Sequence, residues 1–150
     1  MMKRAIFDTE HEVFRDSVRR FVEKEIAPHI ERWHEQGIVD REAFRKAGEH
    51  GYCLMWADEE YGGAGVHEFR YEQILIEEVF LCGGDPGFGL ALHNRLVAPY
   101  IGQLGTAEQK ARFLPGCVKG ETILGIAMTE PGTGRDVAMV LGTVGGAVAG

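Results

Sequence analysis

Cysteine is scarce in this chain: Cys53, Cys82 and Cys117 are odd in number, far apart and form no CxxC pair. That argues against a disulfide framework and suits free thiols in a reducing compartment. Long apolar runs are missing as well, and no uninterrupted segment approaches the length of a membrane span. Clustered positive charge is missing: 16 Lys and Arg stand against 23 Asp and Glu, a net charge of -7. This disfavours nucleic acid and anionic membrane surfaces as partners. The opening MMKRAIFDTEHE has neither the apolar core of a signal peptide nor the basic character of a transit peptide, so a cytoplasmic location is the expectation. Charge is absent altogether from Val137 to Gly150.

What is present reads as helix. With 150 residues the chain can bury one real core but not two ordinary domains. Thr9 and Glu12 have capping-box spacing, and Phe14, Val18, Phe21 and Val22 then form an apolar stripe that Pro28 should interrupt. Asp40 is an expected N-cap with Val39 and Phe44 as a hydrophobic staple, and Gly48 and Gly51 mark that helix's end. A loop at Tyr61–Gly65 precedes a helix over 68–81 that places Tyr71, Ile74, Leu75, Glu78 and Val79 near one side. A further helical stretch runs over 86–104, bent at Pro99, and Thr106 with Gln109 opens another to about Cys117. Strand character appears only at 122–128. Helices followed by a strand predict a mainly α protein: an all-α domain over 1–120 and the start of a β domain over 121–138. An atypical Gly/Ala/Val tail occupies 139–150.

Several chemistry-bearing patterns fail on inspection. His11-Glu12 begins HExxH, but Arg15 stands where the second His belongs. His29 and His34 are five apart without neighbouring Cys, so no metal site is expected. Gly132-x-Gly134 lacks the third glycine of a dinucleotide fingerprint, and no βαβ unit surrounds it. Glu59-Glu60 and Glu77-Glu78 are adjacent residues that point apart on a helix, and both pairs read as solvated surface. Phe14, Phe21, Trp33, Phe44 and Trp56 read as core or near-core.

The segment Ala127 to Asp136, AMTEPGTGRD, is the most informative. An apolar run ending in Pro131, Gly132 and Gly134 describes a buried strand entering a tight turn, which is common in itself. Its residues resemble the acyl-CoA dehydrogenase signature A-M-T-E-P-x-A-G-S-D. Ala127, Met128, Thr129, Glu130, Pro131, Gly132, Gly134 and Asp136 match; Thr133 is a mild departure. Arg135 replaces a Ser that touches the acyl-CoA, which puts that contact in doubt. The segments FVEKEIAPHIERWHEQGIVDREAFRKAGEHGYCLMWADEEYGGAG and DPGFGLALHNRLVAPYIGQLGTAEQKARFLPGCVKGE also resemble the family's long-chain type. The likeness extends from about residue 8 to 138.

The resemblance implies an N-terminal helical domain of acyl-CoA dehydrogenase type leading into a β-barrel-like middle domain. It implies FAD-dependent α,β-dehydrogenation of fatty acyl-CoA thioesters, with an electron-transferring flavoprotein as acceptor and a homo-oligomeric full-length enzyme. Ile126, Met128, Thr129 and Gly134 would contact the flavin, and Arg135 would sit at the CoA-contacting position. Phe88 and Leu92 would line the fatty-acyl cavity or simply face the core, and His93 and Asn94 are structural or line the substrate channel. The family's catalytic Glu lies beyond residue 150, so no catalytic residue is assigned and this chain alone should be inactive. The alternatives are a non-catalytic helical binding or assembly module of the same ancestry, or part of an acyl-CoA oxidase-like flavoenzyme. The loss of resemblance after Ala138 fits a truncation, a shifted reading frame or a natural short variant.

Overall fold

The computed structural model describes residues 6–81 and 88–127. Expectations that fall on Cys82, on 86–87 and on 128–150 lie outside these residues. The described protein is helical, and its helices enclose one hydrophobic core.

Helix α1 runs Thr9–Phe21. The spacing of Thr9 and Glu12 points to Thr9 as its cap, but Asp8 holds that place. Its carboxylate accepts from the backbone N–H of Glu10 at 3.1 Å and of His11 at 3.3 Å. Asp is as good a cap as Thr and adds a negative charge at the positive end of the helix dipole. Val18 and Phe21 turn inward, Phe14 packs at the margin, and α1 lies along α4 (Phe69–Leu81).

Pro28 perturbs the chain one turn ahead of itself. Residues Val22–Ile26 form a π-turn, Ala27–His29 a 3-10 turn, and α2 (Ile30–Gln36) resumes beyond them. Proline lacks an N–H and its ring crowds the carbonyl four residues back. Widening the preceding turn relieves both, and the Ala27 N–H reaches back five residues to the Val22 carbonyl. The same device recurs before Pro99: the π-turn Leu92–Val97 precedes α5 (Ala98–Leu104). The bend expected at Pro99 therefore begins a turn earlier.

Asp40 occupies the N-cap position of α3 (Arg41–Glu49), but its carboxylate pairs with Arg32 instead of closing the helix. Thr106 and Gln109 form the full reciprocal capping box at the start of α6 (Ala107–Val118), at 3.2 and 2.9 Å. The end of α6 lies against α3 with no side chain between them. Gly120 has φ +68° and a Cβ there would strike the Phe44 carbonyl, while a Cβ on Gly48 would strike Lys119 backbone.

The strand expected at 122–128 does not appear over its described part; residues 123–127 lie outside any ladder. An apolar run becomes a strand only against a partner edge, and no described segment offers one.

Candidate functional site

Three features meet around the start of the Leu92–Val97 turn. The first is an apolar groove of about 220 Å³. Leu75, Val79 and Phe80 of α4 form one wall, and Leu90 and Leu92 the other. Leu92 thus lies on the groove, 36% exposed. Phe88 lies elsewhere, 2% exposed in the core, with its ring 5.1 Å from Phe44 and 6.3 Å from Trp33. No ionisable side chain lines the groove among the described residues.

The second feature is a buried polar network at His93 and Asn94, both fully buried. π-turns are rare and concentrate at functional sites. The Asn94 amide donates to the Tyr52 carbonyl at 2.8 Å and to Glu72 Oε1 at 3.0 Å, while its Oδ1 accepts from the Leu54 N–H at 3.1 Å. That last bond helps hold Leu54 at φ +46°, a conformation seldom adopted by a residue with a Cβ. Trp56 Nε1 donates to the Asn94 carbonyl at 2.7 Å.

Glu72 was not legible as special in the sequence. Burial pushes its carboxyl up to about 7, against the opposing Asn94 hydrogen bond and the charge of Arg95. Such a value suits a general base, but Glu72 faces Asn94 in the core and not the groove. Its position is structural.

The third feature is the segment leading to the signature. His93 Nε2 lies 3.1 Å from the Cys117 carbonyl, and His93 Nδ1 accepts from the Leu124 N–H at 3.2 Å. Two residues on, Ile126 is 40% exposed, and a Cβ on Gly125 would meet nothing within 4 Å. This open apolar stretch suits a flat ring lying against it. Met128, Thr129, Gly134 and Arg135 lie outside the described residues.

Other candidates resolve into structure. Glu78 corrects the expectation of a solvated pair with Glu77: it is 4% exposed, 2.9 Å from Arg15 and 3.0 Å from Arg19. Burial raises its pKa, but the hydrogen bonds from Arg19 and Arg15 outweigh that and leave it below the ordinary carboxylate range. Glu59 and Glu60 are exposed, as expected. His11 is buried with Nδ1 2.6 Å from Asp8 and Nε2 3.0 Å from Glu68, and its ring stacks on Tyr71. Cys53 and Cys117 are free and buried, and burial pushes both thiols up to about 12, which makes them poor nucleophiles. Among the described residues no group of three or more His, Cys, Asp or Glu could hold a metal, and no helix is long and apolar enough to cross a membrane.

Residues 8–121 match the family described as acyl-CoA dehydrogenase, N-terminal domain. The mitochondrial long-chain specific acyl-CoA dehydrogenase of Mus musculus is 40% identical over 134 residues, which cover 89% of this chain and 31% of that protein. The crystal structure of acyl-CoA dehydrogenase from Geobacillus kaustophilus matches with a TM-score of 0.84 at 44% identity, over 91% of this chain and 36% of that one. An acyl-CoA dehydrogenase complexed with FAD from Bacillus anthracis matches with a TM-score of 0.79 at 29% identity, over 91% and 23%. The chain spans about a third of the curated relative's length. The family match over residues 8–121 and the structural likeness together establish that this chain belongs to the acyl-CoA dehydrogenase family, as its N-terminal helical domain.

Proposed function

We propose that this chain supplies the helical wall of the active site in a FAD-dependent enzyme that introduces an α,β double bond into fatty acyl-CoA thioesters. The observation that carries the reading is the apolar groove between α4 and Leu90–Leu92, in a fold whose next segment runs through Ile126 toward the flavin-type signature that begins at Ala127. Leu92 and its neighbours would hold the hydrocarbon chain and exclude water, since burying each methylene contributes about 0.8 kcal/mol. Ile126, with Met128, Thr129 and Gly134 by motif, would pack against the flavin, and Arg135 would meet the CoA moiety. The chemistry FAD supplies when bound is acceptance of the β-hydrogen as hydride.

The α-proton needs a carboxylate base, and no described carboxylate faces the groove. Glu72 and Glu78 are committed to Asn94 and to Arg15 and Arg19. We infer from the family resemblance, not from the described carboxylates, that the base lies outside this chain and that the isolated chain binds flavin weakly and turns over nothing. An electron-transferring flavoprotein as acceptor, a homo-oligomeric assembly and a cytoplasmic setting complete the reading.

The test is a hybrid in which this chain replaces the corresponding third of the Geobacillus kaustophilus enzyme. Retained flavin whose visible band bleaches on adding a long-chain acyl-CoA is the expected result. A folded but colourless hybrid, or one whose flavin does not respond to any acyl-CoA, would favour a non-catalytic assembly module.

A further inference from the structure

We propose that His93 is a positioning residue: it ties residues 123–127 to the end of α6 and so aims Ile126 at the flavin, an inference that rests on the flavin reading above. Its two ring nitrogens are bonded to two different pieces of backbone. The Cys117 carbonyl can only accept, so the proton must sit on Nε2. The Leu124 N–H can only donate, so Nδ1 must carry a lone pair. One neutral tautomer satisfies both partners; the other tautomer and the imidazolium each put two protons face to face.

The surroundings hold the ring in that state. It is fully buried, and the Phe44 ring meets it edge-on with centroids 6.0 Å apart. Burial depresses its basicity, although the Cys117 hydrogen bond opposes this. On the chain side, Glu121 and Thr122 still bond back to the Gly116 carbonyl, at 2.9 and 3.0 Å. Past Thr122 the Leu124 N–H bond to His93 holds the backbone, while the Ile123 and Leu124 side chains pack against the core. Ile126 follows two residues later, with its side chain half in the open. The imidazole thus fixes the backbone at Leu124, two residues before Ile126, as the chain leaves the helical domain. Acyl groove and flavin segment hang from adjacent residues, Leu92 and His93.

The test uses the whole chain labelled with ¹⁵N. Long-range ring spectra should give the Nε2–H tautomer, and the Leu124 amide should be protected from exchange. His93→Gln keeps a donor for Cys117 but has no acceptor at the Nδ1 position. It should fold and release the Leu124 amide, with exchange about ten-fold faster. His93→Asn can offer Oδ1 in place of Nδ1 and should restore part of that protection. Excess FAD should shift the amides of residues 125–127 in the wild-type chain, and more weakly in His93→Gln. An Nδ1–H tautomer, or unchanged Leu124 exchange in a folded His93→Gln, overturns the tie whatever FAD does. A released Leu124 with undiminished FAD shifts overturns the aiming role. If the tie is found but FAD moves nothing in the wild type, the flavin reading is what fails, and the aiming role fails with it. If neither variant folds, the tautomer and the exchange of wild-type Leu124 still decide the tie.

Discussion

Glu72 and Asn94 lie 3.0 Å apart in the core, a carboxylate accepting from an amide on a different helix, with no cationic side chain among the described residues hydrogen-bonded to either. The pair makes Glu72 a burden at neutral pH. Its folded pKa, about 7, lies above its ordinary 4.5, so the folded chain holds a proton that the unfolded chain has lost. Stability therefore falls as pH rises between those values and stays low above them. Glu72→Gln keeps the acceptor for Asn94 without the charge. It should be more stable than the wild type by about 3 kcal/mol at pH 8 and nearly equal at pH 4, measured by urea unfolding. Equal stability at pH 8 would show that Glu72 ionises freely.

His93 pulls the other way. Its folded pKa is lowered by burial, so its contribution is present above the ordinary 6.5 and lost as pH falls. In the wild type the two slopes oppose each other. In Glu72→Gln the Glu72 slope is gone, and the variant should lose stability through His93 on acidification from about pH 6.5 to 4.5, above the range where the paired carboxylates titrate. A flat profile there would count against a buried neutral imidazole.

Glu78 should be graded by which partner is removed. Glu78→Ala removes the more buried of the two carboxylates hydrogen-bonded to the mostly buried Arg15, leaving Glu77 at 3.0 Å, and should cost about 2 kcal/mol. Arg19 is 45% exposed, so Arg19→Ala should cost less than about 1 kcal/mol. Because the Glu78 pKa is lowered, the stability it contributes is present above the ordinary carboxylate range and lost in acid. Thermal melts of the two variants give the comparison, and equal losses would contradict the burial difference.

Gly120→Ala should cost about 2–4 kcal/mol, because a left-handed backbone and contact with the Phe44 carbonyl penalise the same methyl group. Gly51→Ala is the control: it shares the positive φ but has open space around it, and should cost about 1 kcal/mol. Calorimetric Tm values separate the two.

Leu92→Trp should fill the groove with little change in Tm, since Leu92 is partly exposed. In the hybrid enzyme it should weaken long-chain acyl-CoA binding about ten-fold or more and leave shorter chains less affected. Uniform weakening across chain lengths would place the hydrocarbon elsewhere.

Much of the helical frame was legible from spacing: the stripe on α1 and the Thr106–Gln109 box are local patterns that tertiary contacts left in place. What escaped is non-local. Nothing near Glu78 in the sequence announces Arg15 and Arg19, which come from another helix about sixty residues away. Glu72 reads as one more acidic residue until Asn94 arrives from α4's neighbour. Asp8 displaced Thr9 as the cap because both types suit that position, and Asp8 also binds His11. The prolines were read as breaks at their own positions, whereas the backbone yields one turn upstream, where a widened ring of hydrogen bonds absorbs the missing donor. The apolar groove needed the fold, since a Leu facing a cavity and a Phe facing the core look alike in sequence. The segment before Ile126 reads as strand in isolation, yet without an edge to pair with, its Leu124 N–H is taken by a side chain.

The contact of Gly48 with Lys119 and of Gly120 with Phe44 has a consequence for how this surface can change over time. Where two helices touch through side chains, a substitution on one can be answered by a substitution on the other. Here main chain meets main chain, so neither partner has anything to trim, and no second change can restore what the first removes. The two glycines are therefore expected to stay fixed while the groove residues drift with the substrate.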